Sequence, residues 1–467
     1  MAHDEHAAPT VPTHQEIASD IMAKFQNINQ SYWRWVSLLA VLFAAGVVGF
    51  VIKLMAGFDD RSEWGYYVAT LSFLASTFLA MPVISAGLRL AKANWRRPLT
   101  RLTENMAITG VLIWFMLIPA LIALPDTEGR LSVWFDFPHW MSFRGGNLMV
   151  WGTVVLIGLF LLWTLALPDL AAVRDHMPKS PRGKVARVLS LGWTGNTRQW
   201  RVLHSGVLLF GAFYLLLYPT LQTLLQADFQ AGLLPGMKDA IAPATALINA
   251  LQGAVAMTLV VMFIMRRFGG YERYFGIDQF WALSKPLLAF SLLWFYFWWG
   301  SFITFWYGRQ PGETALIQFL ILDSYRIPLI FSFLFNFIGP LVALVWNPVR
   351  RSIWGPTIVG VGVLFGALIN HIRWYVAPFS VLDPPEGKDW PHVATLMSFE
   401  DAIPAGQLPG IADVLIIVGG IAGAFLLFML INKIIPVVSM WEVGEGLRLV
   451  KVRRYLARYA MVIAKSH

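Results

Sequence analysis

Ten continuous apolar runs, each long enough to cross a lipid bilayer as a helix, constrain this 467-residue chain more than any other feature. They lie near 33–56, 65–91, 105–125, 146–168, 202–226, 240–265, 277–307, 315–346, 352–377 and 411–440. A hydrocarbon core about 30 Å thick takes about 20 helical residues at about 1.5 Å each. Backbone polar groups find no water there, so a spanning segment is either a helix or a strand of a closed barrel. The runs are continuous rather than alternating, which excludes a barrel. The sequence therefore predicts an all-α integral membrane fold: about ten transmembrane helices over 33–440, a polar segment over 1–32 and a basic tail over 441–467.

Threading the runs in order sorts the charges. One set of loops carries Lys92, Arg96, Arg97 and Arg101, the stretch from Arg174 to Arg201, then Arg266, Arg267, Arg273, Arg350, Arg351 and the tail to Lys465. The opposite loops carry Asp59, Asp60 and Glu63, and later Asp383, Glu386, Asp389, Glu400 and Asp401. Because cationic loops stay on the cytoplasmic side, both termini are expected there. The net charge of +9 is spread over every inner loop, so topology accounts for it and no nucleic-acid partner is expected. The first 30 residues hold His3, His6 and His14 and lack an apolar core followed by a small-residue cleavage pattern. They read as a cytoplasmic lead-in rather than a signal peptide, with an amphipathic helix around Ile17 to Phe25.

The chain has no cysteine, so it supplies no disulfide, no thiolate-held iron–sulfur cluster and no c-type haem attachment. A haem b with two histidine ligands needs histidines that face each other. Only His204 and His371 fall within the runs, at opposite depths, so no haem is expected either. Any electrons handled here then travel on a bound organic molecule or on partner subunits.

Ionisable groups inside membrane spans are costly, and by default they are candidates for function. Asp323 and Arg326 in the eighth run stand three residues apart on one helix face. Two readings stay open for them: a structural ion pair, or a role at a proton path or a ligand headgroup. His371 and Arg373 in the ninth run are two apart and do not share a face. His371 alone reads as a packed, hydrogen-bonded histidine, Lys285 as a side chain snorkelling inward, and Asp228 alone as a solvated loop acid. Asp323, Arg326 and His371 all belong to outer halves, with Asp228 just past the outer end of the fifth run, so one pocket near the outer face is the expected meeting point. The aromatic run Trp294, Phe295, Tyr296, Phe297, Trp298 and Trp299 is denser than an interfacial belt requires. It reads as core packing, with a ring-binding slot as the second reading.

Several short motifs then occur in a fixed order within this ten-span frame. They begin with Val83-Ile84-Ser85-Ala86, Asn94-Trp95-Arg96-Arg97-Pro98 with Glu104 and Met106, and Leu167-Pro168-Asp169-Leu170-Ala171 with Arg174-Asp175. Gly192-Trp193-Thr194-Gly195 with Arg198-Gln199-Trp200, Asp228-Phe229 and Leu234-Pro235-Gly236 follow. Phe305-Trp306-Tyr307-Gly308 with Glu313, Asn336 with Pro340, and Asn370 with Trp374 complete the series. Over roughly 65–377 the chain resembles the NrfD/PsrC-type membrane subunits of molybdopterin-type oxidoreductases, above all the ActC-type subunit of alternative complex III. The resemblance implies a multi-pass protein of the inner, cytoplasmic membrane in a respiratory or photosynthetic electron-transfer complex. It implies menaquinol or ubiquinol bound and oxidised near the outer face, with electrons passing to an iron–sulfur/molybdopterin-type partner. Cytochrome c subunits and other membrane subunits are the further partners implied.

The chain also departs from that pattern. Leu79, Ile122, Gly152 and the pair Val376-Ala377 stand where the family carries histidines, an aspartate and a Glu-Arg pair. Of the family's quinol-site acids Asp228 is retained. One expectation is a quinol site rebuilt around Asp228, His371, Asp323 and Arg326, with Arg373 and Tyr325 joining Asp228 and His371 as headgroup contacts. The other is a membrane-anchor or proton-path subunit without its own quinone site. A stand-alone transporter is a third class, which the motif order disfavours.

Overall fold

The structure, a computed structural model, describes residues 11–27, 30–127, 132–134, 142–234, 236–381, 404–455 and 458–463. The acids Asp383, Glu386, Asp389, Glu400 and Asp401 and the histidines His3 and His6 lie outside the described residues. Helix α1 (His14–Gln26) starts at a capping box, in which Thr13 accepts from the Glu16 amide while the Glu16 carboxylate accepts from the Thr13 amide. Its buried residues Ile17, Ile21, Met22 and Phe25 form one stripe, as the sequence predicts.

The membrane part begins with α2 (Gln30–Ala56), α3 (Arg61–Leu90), α4 (Thr100–Ile122) and α5 (Phe143–His176). A short helix α6 (Pro181–Leu189) leads to α7 (Thr197–Leu233), α8 (Ala242–Phe268) and α9 (Ile277–Gly308). A shorter apolar helix α10 (Gly312–Leu322) precedes α11 (Arg326–Val345), α12 (Trp354–Phe379) and α13 (Ile411–Ile431). Ten of these helices among the described residues are long and apolar enough to cross a membrane, so the chain is a multi-pass helical membrane protein. Beyond them, α14 (Met440–Leu447) leads into an antiparallel ribbon of β1 (Val450–Tyr455) and β2 (Arg458–Ile463). The tail is thus not wholly helical, in keeping with the apolar–basic alternation of Val450-Lys451-Val452-Arg453. Helix α1 packs on α14, so both ends of the described chain lie at one end of the bundle. That end carries the arginine-rich loops and is called the basic end below; the opposite one is the acidic end.

Helix α3 is the hub. Every residue from Gly65 to Thr77 is buried, and α3 packs against α4, α8, α12 and α13. Helices α2 and α13, the first and last spans, approach closely because glycines face each other: a Cβ on Gly46 would lie 2.6 Å from the Gly419 Cα. Between lipid-bathed helices such close backbone contact supplies attraction that the hydrophobic effect does not.

The eighth run, expected to be one helix over 315–346, is broken. Helix α10 ends in a π-turn at Leu322, and α11 begins at Arg326. Pro328 has no amide hydrogen to give the Ser324 carbonyl, so a continuous helix would lose a bond here. Asp323 and Arg326 therefore sit exposed in the break at the acidic end, and their side chains form no ion pair among the described residues. Conversely, α5 continues through Pro168 to His176, and beside this proline the Leu165 carbonyl accepts from Arg101 Nη2 at 2.5 Å and Trp441 Nε1 at 3.1 Å.

Arginines at the ends of α3 and α4 and in the loop between them build an ionic clamp at the basic end. Arg89 donates to Glu104 and Glu442 at 2.5 Å each, and Glu442 also accepts from Arg96 at 2.9 Å and from the Thr100 hydroxyl at 2.8 Å. Arg101 meets Asp169 at 2.8 Å, and Asp169 accepts from the Ser439 hydroxyl and the Met440 amide. Glu104, Asp169, Glu442 and Arg101 are essentially excluded from solvent. Burial by itself raises the Glu442 pKa, but the guanidiniums of Arg89, Arg96 and Arg101 outweigh it and hold the carboxyl down to about 2. Removing one member of such a network leaves buried charge uncompensated, at a cost of about 3–5 kcal/mol. Glu442→Gln is expected to lower the thermal unfolding midpoint and raise hydrogen exchange over residues 440–447. A depressed pKa contributes stability above the ordinary value of 4.5, lost as pH falls toward 2. Exchange in wild-type α14 should accordingly stay flat down to about pH 5 and rise only below it.

Candidate functional site

At the acidic end α7, α8, α9 and α12 enclose a cavity. Its wall includes Gln222, Asn249, Trp294, Trp298, His371 and Trp374, and Asp239 stands half-buried on the loop before α8. The space open to the centres of water molecules is about 50 Å³. A second lobe of about 40 Å³ shares Asp239, Trp298, Ser301 and Trp374 with the first and extends toward α10 and Arg373. Asp239 Oδ1 accepts from the Ile241 amide at 2.9 Å, which fixes the carboxylate at the turn into α8.

His371 is 5% exposed and fully engaged. Its Nδ1 lies 2.8 Å from the Ser72 hydroxyl of α3, and its Nε2 lies 3.1 Å from the Asn249 amide nitrogen of α8. With Asn249 donating to Nε2, the proton of a neutral imidazole sits on Nδ1 and is given to Ser72. The ring stacks on Tyr375 at 5.8 Å and meets the edge of Phe73. The remaining Asn249 acceptor, Oδ1, is buried without a hydrogen-bond partner beside the cavity. A hydroxyl entering here finds a free carbonyl oxygen backed by an imidazole, two indole walls at Trp298 and Trp374, and a carboxylate. That set can hold a flat ring and accept protons from it.

The other candidate residues lie elsewhere. Asp228 is fully buried at the end of α7, where Oδ2 accepts from Trp134 Nε1 at 2.9 Å and Asn147 Nδ2 at 2.7 Å. It is an internal acid that ties α7 to α5, not a solvated loop acid, and it does not line the cavity. Asp323 and Arg326 stay outside as well, so the expected convergence of four groups reduces to His371. Tyr325 is buried edge-on to Phe319 and lines neither lobe. Arg373 lines the second lobe but not the first, as its spacing from His371 predicts. Within the aromatic run, Trp294 and Trp298 face the cavity while Tyr296 and Trp299 are exposed, so packing and slot coexist on different faces of α9. Lys285 is exposed with Nζ over the Trp281 ring, as snorkelling requires.

Asp239, Asn249 and Gln222 are the site residues that the sequence reading passed over. Asn249 and Gln222 are uncharged polar groups inside apolar runs, and the rule applied there to charges covers them too. Of the departures, Gly152 faces Trp114, whose Nε1 would lie 3.1 Å from a Cβ there, and Val376 is fully buried against Gly65. No protein-family model matches the chain, and no curated protein is similar to it.

Asp228→Ala removes the carboxylate that Trp134 and Asn147 donate to and should destabilise the fold by roughly 1–3 kcal/mol. The expected readout is a lowered unfolding midpoint for the purified protein, whether or not a substrate is present.

Proposed function

We propose that this chain is the quinol-oxidising membrane subunit of a multi-subunit electron-transfer complex, with the quinol headgroup taken into the acidic-end cavity. The observation that carries this reading is the buried His371–Asn249 pair, which presents an unpartnered Asn249 Oδ1 to a cavity walled by Trp298 and Trp374 and edged by the Asp239 carboxylate. Oxidation of a quinol releases two protons and two electrons. One proton goes to Asp239 and on to water at the acidic end. The other goes to His371 Nε2 once the Asn249 amide gives way to the hydroxyl, leaving an imidazolium whose Nδ1–H still donates to Ser72. The electrons leave to a metal-bearing partner docked on the acidic end, since a chain without cysteine has no thiolate to hold an iron–sulfur cluster of its own. The motif order of the NrfD/PsrC type and the loop charges support the same reading, with the basic end cytoplasmic and the acidic end outside.

A second reading, a membrane anchor without its own quinone site, is favoured by one observation. The free space of about 50 Å³ is well below the roughly 150 Å³ of a cavity that takes up benzene, so a ring enters only if Trp298 or Trp374 swings aside. Asp239→Asn and His371→Gln in the assembled complex discriminate the two. The quinol reading expects turnover to fall by about 100-fold in each, with assembly unchanged and quinone recovered on extraction of the wild type. Unchanged turnover in both variants and no extractable quinone would leave the anchor reading.

A further inference from the structure

Arg373 is the buried cation that the proposed oxidation does not use. It is 1% exposed, and an arginine keeps its charge at any pH a membrane meets. Lys53 and Arg101, which are buried to a similar degree, each meet a carboxylate. Arg373 meets none among the described residues. Its hydrogen-bond partners are neutral: the Leu320 carbonyl, 3.5 Å from Nη1, and Asn370 Oδ1, 3.2 Å from Nη2. Nε has no partner, and the guanidinium lies over the Trp374 ring at 4.4 Å. The C-terminal carbonyls of α10 and the indole face offset the charge only in part. A buried ion without a counterion is strongly disfavoured, so the site is incomplete as it stands.

The lobe beside Arg373 indicates what would complete it. Phe302, Phe305, Leu316 and Leu320 make its walls apolar, with Ser301 and Asp239 the polar groups on the side shared with the first lobe. Arg373 lies six residues before the end of α12, about 9 Å from the acidic end of that helix. We infer that this lobe binds an amphiphile with an oxyanion headgroup, its phosphodiester or carboxylate against the Arg373 guanidinium and its chain along the apolar wall. The guanidinium fork matches either headgroup. The lobe shares Asp239, Trp298, Ser301 and Trp374 with the quinol cavity, but the anion's contact is Arg373, which the proposed oxidation does not use.

The test uses the full-length protein, purified in a neutral detergent and titrated with phosphatidylglycerol, oleate or oleyl alcohol, with bound amphiphile counted by native mass spectrometry. Wild type is expected to retain phosphatidylglycerol or oleate but not the uncharged alcohol, and whichever acid binds identifies the headgroup. Arg373→Gln should weaken retention by about tenfold or more, and Arg373→Lys should keep much of it. Equal retention by wild type and Arg373→Gln, or equal binding of the alcohol, overturns the proposal. If Arg373→Gln does not assemble, Ile321→Trp fills the lobe from a half-buried position and leaves the charge in place. Unchanged retention in that variant also overturns it. Quinol turnover measured on the same samples reports on His371 and Asp239 independently, so the failure of either proposal is distinguishable from that of the other.

Discussion

The ionic clamp at the basic end is the interaction on which the arrangement of the bundle depends. Glu442 and Asp169 gather arginines from the second span, the third span and the loop between them, and bring α14 back beneath helices far from it in sequence. A buried ion pair is a weak source of net stability, because desolvation offsets most of its attraction. Its effect is to specify. Few arrangements satisfy Glu104, Asp169 and Glu442 together, and each of them fixes α3, α4, α5 and α14 relative to one another. The sequence motifs around Arg96 and Asp169 belong to this clamp.

Above the clamp, α3 carries hydroxyl groups through the middle of the bundle. Thr70 and Thr77 close onto carbonyls of their own helix, Ser76 faces Gln222, and Ser72 reaches His371. Buried polar groups must be satisfied inside a bilayer, and along most of this helix they are. Unsatisfied atoms occur at both ends of the bundle, among them Arg101 Nη1 and Glu104 Oε2 within the clamp. Asn249 Oδ1 and Arg373 Nε lack partners beside the two lobes, and Asn336 lacks them within the π-turn of α11. A buried polar group left unsatisfied beside a cavity is where a ligand or ordered water gains most by binding.

The acidic end therefore divides its chemistry between two faces of α12. His371 looks toward α3 and α8, and Arg373 toward α9 and α10, with Trp374 between them. Asp228 serves a third purpose, as the acceptor that joins α7 to α5. The broken eighth span opens this region. Helix α10 stops short, its Leu320 carbonyl turns to Arg373, and the Ser324 hydroxyl in the break donates to the Pro404 carbonyl at 2.6 Å.

The length and continuity of the apolar runs determined that the chain is a multi-pass helical bundle, because a bilayer allows few other backbone solutions. The amphipathic α1 and the separation of His371 from Arg373 were legible for the same reason: helical periodicity acts on neighbours in sequence. The sequence did not reveal that Pro328 breaks the eighth span, that Asp228 turns inward, or that Asn249 meets His371 beside a cavity edged by Asp239. Those facts depend on which helices pack side by side, and hydropathy carries no information about that choice. Pairing between distant segments, such as Glu442 with Arg89 or Asn249 with His371, is set by shape and by the need to satisfy every buried polar group at once. Only the tertiary structure could decide it.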